Sequence, residues 1–176
     1  MSSTLKQWGK KSSDLLRMEA RNYVYGEILK SEANKLIDLL DIGETSTVID
    51  IGSGNARFLC EIMKQSGCNG IGVEPKKERH IKAITRRSLK GLGAELELKY
   101  GMFPCKLNSK YTHAILHACA WDKKNALQAF RNIPKGVKII HNSFNFNKEF
   151  PRLDQKMIHL KTSYLKDGTR FWYFTK

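Results

Sequence analysis

The 176-residue sequence predicts an α/β domain on a doubly wound, mostly parallel sheet with a reversed C-terminal strand. Three observations support this. Val48-Ile-Asp-Ile-Gly-Ser-Gly-Asn-Ala-Arg57, followed by Ile71-Gly-Val-Glu74, writes a strand, a glycine turn, a helix and a second strand ending in a carboxylate. Helical and strand patterns then alternate along the chain. Near the end, Lys166-Asp-Gly168 separates two strand-like runs, the signal of an antiparallel hairpin.

Residues 1–22 read as a basic arm, polar and lysine-rich, with helical character from Ser13 onward, and residues 23–176 as one domain. From Gly26 to Leu40 the apolar residues Ile28, Leu29, Ala33, Leu36, Ile37 and Leu40 recur at helical spacing. Val48 to Ile51 is the first buried strand. Phe58 to Gln65 continues the helix leaving the glycine turn, with Phe58, Leu59 and Ile62 inward and Gly67 closing it. Gly70 to Val73 is the second strand. Arg79 to Lys90 reads as the next helix, with Ile81, Ile84 and Leu89 expected on its inner side, the arginines outside, and Gly91 and Gly93 ending it. Glu95 to Tyr100 alternates as a strand, Thr112 to Leu116 is a short apolar strand for the middle of the sheet, and Asn125 to Asn132 is a helix closed before Pro134. Val137 to Ile140 is a strand, Phe144 to Pro151 a loop, and Met157 to Leu165 pairs with Arg170 to Phe174.

With 41% hydrophobic residues, the chain is long enough for one well-buried core. No apolar run approaches the ~20 residues of a membrane span, and Met1 to Lys11 lacks a signal-type apolar segment, so a soluble intracellular protein is expected. Cys60, Cys68, Cys105 and Cys119 lack Cys-x-x-Cys spacing and read as free thiols; no metal site is indicated. A net charge of +14 and a pI near 9.7 point to polyanionic partners bound in a salt-dependent way. The charge is clustered. Lys76, Lys77, Arg79, Lys82, Arg86, Arg87 and Lys90 fall in one short segment with a single acid, Glu78, and Lys6, Lys10, Lys11, Arg17 and Arg21 make up the arm.

The glycine turn identifies a nucleoside-cofactor site, because Gly52 and Gly54 admit backbone angles closed to other residues and Glu74 can accept ribose hydroxyls. Asp50 precedes the turn. A carboxylate there repels a pyrophosphate but suits a cationic amino-acid end and a sulfonium, which favours S-adenosylmethionine over a nicotinamide dinucleotide. Ala56 replaces the third glycine and still permits close helix packing.

Over residues 22–176 the chain resembles class I, Rossmann-like methyltransferases, and one branch more closely. Asn22-Tyr-Val-Tyr-Gly-Glu27, a helix and then Asp50-Ile-Gly-Ser-Gly54 resemble the signature of the disruptor-of-telomeric-silencing family, the non-SET lysine methyltransferases of the nucleosome core. Thr162-Ser-Tyr164 and Phe171-Trp-Tyr173 resemble that family's final aromatic strands. The resemblance implies that Val24, Tyr25, Gly26 and Glu27 fold over the methionine part of the cofactor. It further implies that Asp50, Gly52, Ser53, Gly54 and Arg57 surround its amino-acid end and that Glu74 holds the ribose. Two segments depart from the family pattern. Gly101-Met102-Phe103 stands where the family has Gly-Asp-Phe, so Phe103 and the Met102 thioether face the adenine and a weaker cofactor grip is expected. His117-Ala-Cys-Ala-Trp121 stands where it has Asn-Asn-Phe-Ala-Phe at the reaction centre.

Methyl transfer to an amine needs positioning and deprotonation. A free lysine, with a pKa near ~10.4, is mostly charged at neutral pH, and a narrow apolar channel favours its reactive neutral form. Trp121, Tyr164 and Trp172 are the candidates for that channel, with cation–π attraction as a secondary help, and His117 for a polar group lining the site. His141 falls at another predicted strand end, whereas His80, His113 and His159 read as surface or packing residues. The resemblance implies a nuclear histone lysine methyltransferase, with histone H3 of the nucleosome as substrate. DNA contacts would come from the basic arm and residues 76–90, and Lys148 and Arg152 are candidate anchors for the nucleosome's acidic patch. The alternatives are methylation of RNA or a non-histone protein, and a catalytically weak binding module on the same fold. The Asn/Asp-Pro-Pro-aromatic motif for base amines is absent.

Overall fold

A computed structural model describes residues 33–116, 123–141, 158–164 and 170–175. They comprise a helix over 33–40 (α1), β1 (Thr47–Ile51), α2 (Arg57–Ser66), β2 (Asn69–Glu74), α3 (Lys77–Leu89), β3 (Leu96–Tyr100) and β4 (His113–Leu116). They continue with α4 (Lys123–Asn132), β5 (Lys138–His141), β6 (Ile158–Tyr164) and β7 (Arg170–Thr175). The strands form one sheet in the order β3-β2-β1-β4-β5-β7-β6. β1 to β5 pair in parallel, and β7 runs antiparallel to both β5 and β6. The doubly wound sheet with its reversed hairpin is as the sequence predicts, and β4 lies at its centre.

The central strands are nearly continuous apolar runs because both faces of the sheet are covered. Val48, Ile115 and Ile140 point to the face packed by Ala33, Leu36 and Leu40 of α1 and by Leu59, Ile62 and Met63 of α2. Ile49, Ile51, Ile71, Val73, Ala114 and Ile139 point to the other, packed by Ala129 and Phe130 of α4 and by Phe103. Phe58, expected inward, is only partly buried at the margin of the first cluster. Gly67 closes α2 in a left-handed conformation and donates its N–H to the Met63 carbonyl. At the end of α1, the Leu40 carbonyl accepts bonds from His113 Nε2 (3.0 Å) and Lys138 Nζ (2.7 Å), so His113 is a packing histidine; its burial holds its pKa down. Cys60 and Cys68 are buried free thiols and Cys105 a partly exposed one; Cys119 lies outside the described residues. Among the described residues no helix is long and apolar enough to cross a membrane.

The expected orientation of α3 is reversed. Ala83 is its one buried residue, while Ile81 is 51%, Ile84 40% and Leu89 81% exposed. Two arginines expected outside turn inward instead. Arg86 Nη1 donates to the Asn55 carbonyl (2.8 Å) and Arg87 Nη1 to the Leu96 carbonyl (3.4 Å). Both are partly buried, so their stems lie on the inward side where isoleucines were expected.

Gly70 marks a close approach of α2 to the sheet: a Cβ there would meet Met63 Sδ, with Leu96 Cδ1 at 3.1 Å and Leu59 Cγ at 3.3 Å. Gly70→Val must displace all three and is expected to destabilise the fold by about 2 kcal/mol. Thermal unfolding should record a melting temperature lower by roughly 4–8 °C.

Candidate functional site

At the carboxyl ends of the parallel strands, one register row runs Val73, Ile51, Leu116, His141, Trp172 and Thr162 across β2, β1, β4, β5, β7 and β6. Ligands of open α/β sheets bind at such an edge. The loop leaving β1 is held there by its backbone. The N–H groups of Gly52 and Ser53 both donate to the Val73 carbonyl, at 2.8 and 3.1 Å. Gly52 and Gly54 have φ of 90° and 57°, the left-handed angles expected of them. Ala56 is also left-handed, at φ 55°, although it is no glycine and is fully buried. Its methyl group fills the core beside α2, and such a conformation costs about 1–2 kcal/mol.

Glu74 braces this loop. Its carboxylate is buried; Oε2 accepts the Gly54 N–H (2.8 Å), Oε1 accepts the Lys76 N–H (2.9 Å), and its carbonyl accepts the Gly101 N–H (3.1 Å). Each carboxylate oxygen retains a second lone pair for a ligand. Arg86 adds a brace from α3 by holding the Asn55 carbonyl. A Glu74 that organises the loop and an Arg86 that reaches it across 31 residues were not legible beforehand. The available signals were the twenty-residue spacing of Gly54 from Glu74 and an arginine on a helix otherwise assumed to be apolar inside.

Asp50 lies beside Glu74. Its register neighbours are Gly72 and Ile115, and it is buried with Oδ1 lacking any hydrogen-bond partner. Burial, reinforced by the Glu74 charge, pushes its pKa up to about 7. Ser53 Oγ is a second buried orphan, 2.9 Å from where a Cβ on Gly72 would stand, so Gly72 leaves it room. A cation with N–H donors would satisfy Asp50 Oδ1, and any donor would satisfy Ser53. Nothing lies within 4 Å of a Cβ built on Gly54 or Gly101, so both face open space. These residues fit a nucleoside carrying a cationic amino-acid end.

The other expected site residues are placed unevenly. Arg57 is exposed at the start of α2, and Met102 is 48% exposed. Phe103 is buried in the core and also borders an open cavity of about 650 Å³ toward Tyr111 and Val137, which shares no residue with the glycine loop. Trp172 occupies the register row opposite His141, and Tyr164 pairs with Arg170 at the end of the hairpin. Val24, Tyr25, Gly26, Glu27, His117 and Trp121 lie outside the described residues, as do Lys148, Arg152 and the basic arm.

Solved structures share this architecture. An RNA methyltransferase from Salinibacter ruber, in complex with S-adenosyl-L-homocysteine, is similar with a TM-score of 0.67 at 20% identity, over 82% of this chain and 90% of that one. The mitomycin 7-O-methyltransferase is similar with a TM-score of 0.68 at 17% identity, over 96% of this chain and 60% of that one. A methyltransferase from Thiobacillus denitrificans gives 0.55 at 18%, over 67% of this chain and 48% of that one. No curated protein matches the sequence. The fold is that of the class I S-adenosylmethionine-dependent methyltransferases. Within that class, the family model for the histone methylation protein DOT1 matches residues 10–170, and the chain belongs to that family.

Asp50→Asn separates binding from stability. Because the folded-state pKa lies above the ordinary 3.8, the ionised carboxylate carries a stability penalty that is absent below that pH, grows as pH rises and is complete above about pH 7. Without ligand, the variant is expected to be more stable than the parent at pH 8 by up to about 4 kcal/mol and by less than half as much at pH 5. Calorimetric unfolding at the two pH values checks this.

Proposed function

We propose that this chain is a histone lysine N-methyltransferase that uses S-adenosylmethionine and acts on a nucleosome-core lysine of histone H3. Membership of the histone methylation family supports the substrate class. The single observation that supports the cofactor is the buried, unpartnered Asp50 Oδ1 beside a glycine loop tied to Glu74. In this reading Asp50 and Ser53 take the amino-acid end, with Gly52, Gly54 and Arg57 around it. Glu74 takes the ribose through its free lone pairs, and Phe103 and Met102 flank the adenine. Val24, Tyr25, Gly26 and Glu27 close over the methionine part.

Bound there, S-adenosylmethionine supplies a methyl group on a sulfonium, reactive toward a neutral amine without further activation. The chain contributes position and desolvation. Trp172 stands in the register row of the sheet edge and Tyr164 just beyond it, where with Trp121 they would wall an apolar channel for the incoming lysine. Such a channel disfavours the ammonium, so the lysine proton passes to solvent before the lone pair is committed. His117, next in sequence after the end of the central strand, would hydrogen-bond the amine. In this reading Lys148 and Arg152 meet the acidic patch of the nucleosome and the basic arm meets DNA, so the protein would act in the nucleus.

Incubation with nucleosomes and labelled S-adenosylmethionine, followed by mass spectrometry, should find the label on a lysine of H3. Label on RNA with none on histone would overturn the substrate assignment. Glu74→Ala should weaken cofactor binding at least tenfold in calorimetry, because it removes both the ribose acceptor and the loop brace. Charge reversal of Lys10, Lys11 and Arg17 should instead weaken nucleosome binding and leave cofactor affinity unchanged, as parallel titrations would show.

A further inference from the structure

We propose that the outward face of α3 is a docking seam for an acidic amphipathic helix of a protein partner. Lys77, Ile81, Ile84 and Ser88 are spaced four, three and four residues apart, the interval that keeps side chains in line along a helix meeting another helix. From Lys77 to Ser88, eleven residue steps apart, the seam is ~16 Å long. Its two isoleucines are 51% and 40% exposed, and Leu89, one residue past its end, is 81% exposed. Apolar surface extends sideways onto the edge strand: His80, one turn before Ile84, packs on Tyr100 with ring centroids 5.7 Å apart, and Tyr100 is itself exposed. The seam is not a slipped core face, because Ala83, Arg86 and Arg87 already fill the inward side.

Charge selects the occupant. Lys76, Lys77, Arg79, Lys82 and Lys90 are exposed around the seam, and none is in an ion pair among the described residues. Glu78 is the sole acid between them. A second copy would bring the same cations against these, on a protein already at +14. Nucleic acid would neutralise the lysines but make no use of Ile81 and Ile84, since phosphate contacts need no apolar seam. An acidic helix with leucine-like residues at three- and four-residue intervals answers both features, with its carboxylates meeting the flanking lysines. The seam is independent of the cofactor assignment.

The probe is a helical peptide of about 20 residues with leucines at seam spacing and glutamates elsewhere, titrated against the full chain by fluorescence anisotropy. A peptide of the same composition in scrambled order and a duplex DNA serve as comparisons. The patterned peptide should bind at least tenfold more tightly than the scrambled one. Ile81→Ser with Ile84→Ser should reduce its binding at least tenfold while duplex binding and cofactor binding stay unchanged. Both side chains are exposed, so the melting temperature should hold; if it falls, Ile81→Gln alone provides the same comparison. Equal binding of the two peptides, or undiminished binding to the double variant, would overturn the proposal. So would duplex affinity that falls with the isoleucines, which assigns the face to nucleic acid, or self-association lost on the same substitutions, which assigns it to a second copy.

Discussion

The carboxylate of Glu74 is the constraint on which the upper edge of the sheet depends. The segments that follow β1, β2 and β3 converge on this one residue, through Gly54 and Lys76 on its side chain and Gly101 on its carbonyl. Charge-assisted bonds from N–H groups to a buried carboxylate are stronger than neutral ones, and losing them would leave that carboxylate without its donors. The left-handed angles of Gly52 and Gly54 are held by the Val73 carbonyl and by this carboxylate, and that of Ala56 accompanies its N–H bond to the Ser53 carbonyl. Arg86 completes the arrangement from α3.

A second carboxylate sits beside the first under opposite conditions. Glu74 is satisfied by backbone donors, whereas Asp50 Oδ1 has none and lies in the field of its neighbour. A protein gains no stability from such a group when it is ionised. Local destabilisation that a ligand relieves is how binding sites commonly differ from the cores that carry them. The shape of the loop and the unmet demand of Asp50 are thus separate properties, one held by Glu74 and the other left open.

The basic helix shows how charge and packing can exchange places. Arginine stems and guanidinium-to-carbonyl bonds attach α3 to the glycine loop and to β3, which frees its isoleucines for the outside. The cations left exposed then frame an apolar stripe, a combination suited to an acidic protein surface more than to phosphate alone.

The mostly parallel sheet, the glycine loop and the terminal hairpin were legible in the sequence, because each rests on local patterns: period-two and continuous apolar runs, and glycines where special backbone angles are needed; that Asp50 and Glu74 lie beside each other was not, since they belong to different strands. The orientation of α3 was not legible. A helix with three branched apolar residues and several arginines has two amphipathic solutions, and only the positions of the Asn55 and Leu96 carbonyls decide between them. The left-handed Ala56 was hidden too, since nothing in an alanine announces a positive φ. Likewise the sequence by itself determined that Trp172 lies on a late strand, whereas the antiparallel return of β7 put it in one row with Ile51 and Leu116. Local chemistry selects the elements; which of their faces meet is set by long-range hydrogen bonds and close packing that no window of sequence contains.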